Sequence, residues 1–247
     1  MPYRNLMAAF ALLSVTLGTP AFGQEEAKAK ETEGTTKVAW KDLLPKSGLK
    51  GWEITDFGSE GKVTNKAGLL TLEMGDPLNG INYLGKDFPK DNYEIVLKAS
   101  RKDGNDFLCG LTFPVGKEFC SFIAGGWGGG IVGLSSVDGF DASENSTSTY
   151  LEFENDKWYE FKVRVDEEFV TAWVDDEKIF YQDREGHEFS TRIEVYASHP
   201  LGICAFQSTV EIKDFKWRSL KGKNAAAAKK PDESASKSAT ALEGTID

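Results

Sequence analysis

The 247-residue chain carries a formal net charge of −10 at pH 7, with 28% charged and 12% aromatic residues. So acidic a chain is a poor candidate for nucleic acid or anionic membrane surfaces, which require basic patches. Neutral sugars and polysaccharides stay compatible with it.

At the start, Arg4 precedes an apolar run from Leu6 to Leu17, and small residues follow at Ala21 and Gly23. This order reads as a secretory signal peptide, residues 1–23, cleaved before Gln24, which places the mature protein in the periplasm or outside the cell. The run is too short to span a bilayer, so no membrane insertion is expected. Losing Arg4 takes the net charge from −10 to −11. Residues 24–37 and 221–247, the latter with the Ala225–Ala228 run, hold too little apolar surface to offset ordering entropy and read as a disordered linker and a low-complexity tail. One domain is left, residues 38–220.

Within it, short strand patterns follow one another: Trp40 to Leu44, Trp52 to Ile54, then Val63 to Asn65 and Leu69 to Met74 about a turn at Lys66, Ala67 and Gly68. Ile81 to Leu84 is another, and Tyr93 to Ser100 alternates with Tyr93, Ile95, Leu97 and Ala99 on one face. Phe107 to Phe113 and Glu118 to Ile123 form a hairpin whose Pro114 and Gly116 mark a loop of Phe113 to Gly116. That loop sets Thr112 opposite Lys117, Phe107 opposite Phe122 and Cys109 opposite Cys120. The two cysteines are therefore a candidate disulfide, with two buried free thiols as the alternative. Ile131 to Leu134, Arg192 to Tyr196, Leu201 to Phe206 and Val210 to Trp217 complete the strands.

The strongest pattern lies between Tyr159 and Val174. A two-residue loop at Glu167 and Glu168 puts Val165 opposite Val170, Val163 opposite Ala172 and Phe161 opposite Val174, giving one wholly apolar face. The other face pairs Lys162 with Trp173 and Arg164 with Thr171. Many short strands with no helical period inside the domain predict an all-β fold, a two-sheet antiparallel jelly-roll sandwich.

Enzyme motifs are sparse. No HExxH, GxSxG, P-loop or CxxC occurs, and His187 and His199 read as loop residues. Gly125 to Gly130 projects Trp127 from a flexible crest, either as a stacking surface for a sugar or as a packing residue. Asp138, Asp141, Glu144 and Asn145 crowd one loop, where carboxylates can accept sugar hydroxyls or act as a base. Such oxygens also suit calcium, although the spacing fails the EF-hand pattern, and no other cofactor is implied. Asp106 closes a second acidic turn.

Lys157-Trp158-Tyr159 before a Val-rich strand resembles the concanavalin A-like lectin/glucanase superfamily, laminin-G-type jelly rolls included. Trp40, Gly51-Trp52, Gly68 to Leu70 and Tyr93 to Ile95 are more narrowly similar to the secreted 3-keto-disaccharide hydrolase domain family, as are Asp106 to Pro114, Gly125 to Gly129 and Gly133 to Gly139. The resemblance implies a two-sheet sandwich with a concave sugar-binding face and, for some members, cleavage of 3-keto-glycosides. A C3 ketone acidifies the C2 proton, so elimination of the C1 substituent needs one base and a group that stabilises an enolate. On this reading Glu144, Asp141 or Asp138 is the base, and Trp127, Asn145, Asp106, Trp173 and Arg164 bind the ligand. Many relatives carry a Glu-x-Gln strand where this chain has Cys120 to Ala124, which removes a carboxylate. The alternative is a non-catalytic glycan-binding or surface-associated module. The partner is a carbohydrate or glycoside in either case.

Overall fold

The computed structural model describes residues 38–220; the expected signal peptide (1–23), linker (24–37) and tail (221–247) lie outside the described residues. In chain order the strands are β1 (Lys41–Asp42), β2 (Trp52–Ile54), β3 (Val63–Lys66), β4 (Leu69–Leu72), β5 (Leu78–Tyr83), β6 (Tyr93–Gly104), β7 (Cys109–Val115) and β8 (Glu118–Gly125). After them come β9 (Ile131–Ser135), β10 (Thr149–Tyr150), β11 (Tyr159–Val165), β12 (Phe169–Val174), β13 (Glu177–Asp183), β14 (Gly202–Phe206) and β15 (Ser208–Ser219). They build two antiparallel sheets. The first runs β13-β12-β11-β6-β15-β4-β3 with β1 added against β15, and the second runs β10-β9-β8-β7-β14-β5-β2. This is the expected sandwich.

The β11–β12 hairpin has the predicted register at every pair, including Phe161 with Val174, Val163 with Ala172 and Arg164 with Thr171. Asp166 closes its turn by accepting hydrogen bonds from the backbone N–H groups of Glu168 (3.0 Å) and Phe169 (2.8 Å). Phe161, Val163, Val165, Val170 and Ala172 are essentially sealed from water. Each of the Phe and Val side chains contributes roughly 1.5–3 kcal/mol of apolar burial. Phe161 meets Phe122 of β8 across the sandwich, ring centroids 6.0 Å apart, so the same face that sets the register also joins the sheets.

Two local expectations are corrected. The β7–β8 hairpin turns on Gly116 and Lys117 alone, with Val115 opposite Glu118, Phe113 opposite Cys120 and Cys109 opposite Ala124. Pro114 is a strand residue, not a loop residue. β14 pairs with β7 only from Gly110 to Thr112, so no ladder continues past Thr112 where the proline lacks its N–H. The shift separates Cys109 from Cys120, and all three cysteines are buried free thiols. Burial pushes the Cys120 thiol far above its ordinary value and raises Cys204 to about 12. The second correction is Arg192 to Tyr196, read as a strand. Ile193–Ser198 is a short 3-10 turn, in which Val195 N–H donates to the Arg192 carbonyl at 3.2 Å. It has no strand to pair with and lies over the outer face of the second sheet, where a Cβ on Gly202 would meet the Ser198 carbonyl at 2.6 Å.

Candidate functional site

The crest between β8 and β9 is a single tight turn, Gly126–Gly129, closed by Gly130 N–H donating to the Gly126 carbonyl at 3.2 Å. Trp127 adopts φ 51° and ψ 50°, and Gly128 follows at φ 87°. A left-handed backbone costs a non-glycine residue about 1–2 kcal/mol, so the surroundings must hold it. Asp106 does this: its Oδ2 accepts from Gly128 N–H at 2.9 Å while its Oδ1 accepts from Phe107 N–H at 2.8 Å. The Asp106 carbonyl is fixed in turn by Arg101 Nη1 (2.9 Å) and Ser208 Oγ (3.1 Å). A side chain at Gly129 would strike the Asn105 carbonyl, at 2.7 Å. Trp127 is consequently presented to solvent, 44% exposed, on a rigid support.

Beneath it lies a cleft of about 230 Å³ on the outer face of the second sheet. Its floor and sides are apolar, formed by Leu78, Phe107, Ile123, Val195 and Phe206, with Ser135 of β9 among them. Asp106 and Trp127 edge one part of it, and Arg192 and Glu194 from the 3-10 turn supply its remaining charge. Arg192 is a junction: Nη1 donates to Asp141 Oδ2 at 2.8 Å and Nη2 to Glu194 Oε1 at 2.7 Å. Hydrogen bonding and charge from Arg192 hold the Glu194 carboxyl below the usual carboxylate range. The cleft thus offers an aromatic plate, two carboxyl groups and a guanidinium around a hydrocarbon floor.

The predicted site residues fall in three groups. Trp127 and Asp106 are in the cleft. Asp141 reaches it indirectly, accepting from Arg192 while also taking Ser143 N–H (3.0 Å) and Oγ (2.7 Å). The others do not converge there. Asp138 pins a neighbouring loop, accepting Glu188 N–H at 2.9 Å with His187 Nδ1 2.7 Å away, and those two partners hold its carboxyl low. Glu144 is exposed and does not line the cleft. Asn145 is a loop fastener: Nδ2 donates to the Leu134 carbonyl (2.7 Å), and Oδ1 accepts Thr147 Oγ1 (2.6 Å). Trp173 and Arg164 lie on the first sheet, on its outer face.

A shared acidic loop therefore does not make a shared site, because successive carboxylates leave the turn in different directions. Among the described residues no group of three or more His, Cys, Asp or Glu side chains could hold a metal ion. Arg192, Glu194 and Ser135 were not singled out from sequence. The only signal was the Arg-Ile-Glu spacing, which a strand reading treats as one solvated face.

Residues 39–218 match the model of the 3-keto-alpha-glucoside-1,2-lyase-like domain, and the chain belongs to that family of carbohydrate-active β-sandwiches. No curated protein matches the sequence. Among solved structures the chain is similar to Crh5 transglycosylase, at 12% identity and TM-score 0.50, over 75% of this chain and 85% of that one. It is also similar to the carbohydrate binding module CBM66 from Bacillus subtilis, at 14% identity and TM-score 0.46, over 70% and 98% of the two chains. A protein of Parabacteroides distasonis described as a glycosyl hydrolase shares 14% identity at TM-score 0.47, over 74% and 94%. At these identities the likeness is one of fold.

Proposed function

We propose that the domain binds a glycan in the cleft beside the Trp127 crest. The observation that carries this is Trp127 itself, held in a left-handed conformation by Asp106 and exposed over a cleft that also contains Arg192 and Glu194. Indole stacks on the C–H face of a sugar ring, and the ionised groups hydrogen-bond its hydroxyls. Calorimetric titration with a glucose disaccharide and its 3-keto derivative tests it. Trp127→Ala weakens binding about tenfold or more, while Trp173→Ala on the other sheet leaves it unchanged. Equal effects of the two substitutions, or none, would overturn the reading.

The family match favours a second reading, cleavage of a 3-keto-glycoside. Glu194 is then the base that takes the C2 proton, Arg192 stabilises the enolate oxygen, and the enolate collapses to a C1=C2 double bond as the C1–O bond breaks and protonated Glu194 returns its proton to the departing alkoxide. Release of free monosaccharide from a 3-keto-disaccharide, lost in Glu194→Gln, supports it; retained binding without turnover leaves the domain a binding module. Export belongs to the same proposal, and sequencing the mature N-terminus should read from Gln24.

A further inference from the structure

The cleft has a feature that a site for fully hydroxylated sugars does not need. Ser135 is 1% exposed and lines the cleft, yet its Oγ has no hydrogen-bond partner. Its cross-strand neighbour Ser121 makes no bond to it; that hydroxyl pairs instead with Thr112 Oγ1 at 2.8 Å. An orphaned buried hydroxyl is costly, and a polar atom that reached it from the cleft would satisfy it. Around it the lining is hydrocarbon: Phe107 and Phe206 pack with ring centroids 5.6 Å apart, and Leu78, Ile123 and Val195 extend the surface. A sugar hydroxyl pressed against that wall would lose water without replacement.

We propose that the cleft selects sugars bearing an acetamido group. This rests on the glycan-binding reading and narrows its ligand. The acetyl methyl fills the apolar wall, the amide carbonyl accepts the Ser135 hydroxyl, and the amide N–H donates to a cleft carboxylate, Asp106 or Glu194. The three parts of the group match the three kinds of surface present. Neither a plain pyranose nor a purely apolar ligand uses all of them.

The test compares matched pairs on the full chain: chitotriose against cellotriose, and an N-acetylgalactosamine O-glycoside against its galactose counterpart, by calorimetric titration. The acetylated member of a pair binds about tenfold or more tighter. Ser135→Ala removes about tenfold from the acetylated ligand only, and its melting temperature is recorded to show that the fold is intact. A merely structural Ser135 would move both members together. Equal affinities within a pair, or equal losses in Ser135→Ala, overturn the acetamido proposal and leave glycan binding standing. Binding of none of the four overturns both.

Discussion

The two outer faces of the sandwich carry the same ingredients, tryptophan beside charge, and differ in how completely those are paired. On the first sheet, Glu94 of β6 is 1% exposed and sits between Arg164 of β11 and Arg218 of β15, whose Nε atoms donate to it at 2.7 and 2.6 Å. Trp173 lies under the Lys162 ammonium at 4.4 Å and the Arg164 guanidinium at 5.5 Å. Lys213 stands 3.8 Å over Trp158 and Arg218 4.4 Å over Trp40. Both guanidinium groups there have met their acceptor and each of these rings has its cation, although the Ser100 and Thr171 hydroxyls are buried without partners. On the second sheet, no cation stacks on Trp127 among the described residues. Composition alone makes the two faces look alike; what separates them is whether the tryptophan rings are already covered by cations.

That contrast can be attacked directly. Glu94→Gln should cost about 3 kcal/mol in urea unfolding, since it leaves two partly buried guanidinium groups facing a neutral amide. The folded variant should retain its glycan affinity; a loss of affinity would mean the faces are not separate in function. Trp127→Gly should do the reverse. Relief of the left-handed strain offsets the added freedom of the unfolded chain, so stability stays within about 1 kcal/mol of the parent while binding is lost. The smallest effect concerns His199, stacked on Phe119 at 4.2 Å with Nε2 2.9 Å from Thr191 Oγ1. Burial holds its imidazole below the ordinary value. The unfolded chain then binds the proton first, so stability falls as pH drops through the unfolded pKa of about 6.5 and levels off below the folded one. His199→Gln should flatten that slope between neutral and mildly acidic pH in thermal melts, and an unchanged slope would place the proton elsewhere.

Legibility from sequence followed the same division. The β11–β12 register could be read because six alternating apolar residues permit one alignment, and a one-residue slip would bury Arg164. The β7–β8 register could not, because apolar residues stand on both faces of that hairpin and Pro114 resembles a loop residue until the short reach of β14 is known. The cleft was half visible. Trp127 and Asp106 belong to motifs that draw attention, whereas Arg192 and Glu194 arrive from a distant segment whose placement depends on the 3-10 turn, and Ser135 ends β9 in no motif at all. The acidic loop misled for a physical reason: Asp138 and Asn145 spend their hydrogen-bonding capacity on fastening loops, and proximity in sequence carries no information about that.

The Asp106 clamp also bears on how such a domain can change. Because Asp106 grips the backbone amide of Gly128 and not the indole, the shape of the crest does not depend on which side chain occupies position 127. A single codon can therefore exchange the plate that meets the ligand while the frame around it is inherited intact, which lets related domains drift between ligands without refolding the loop.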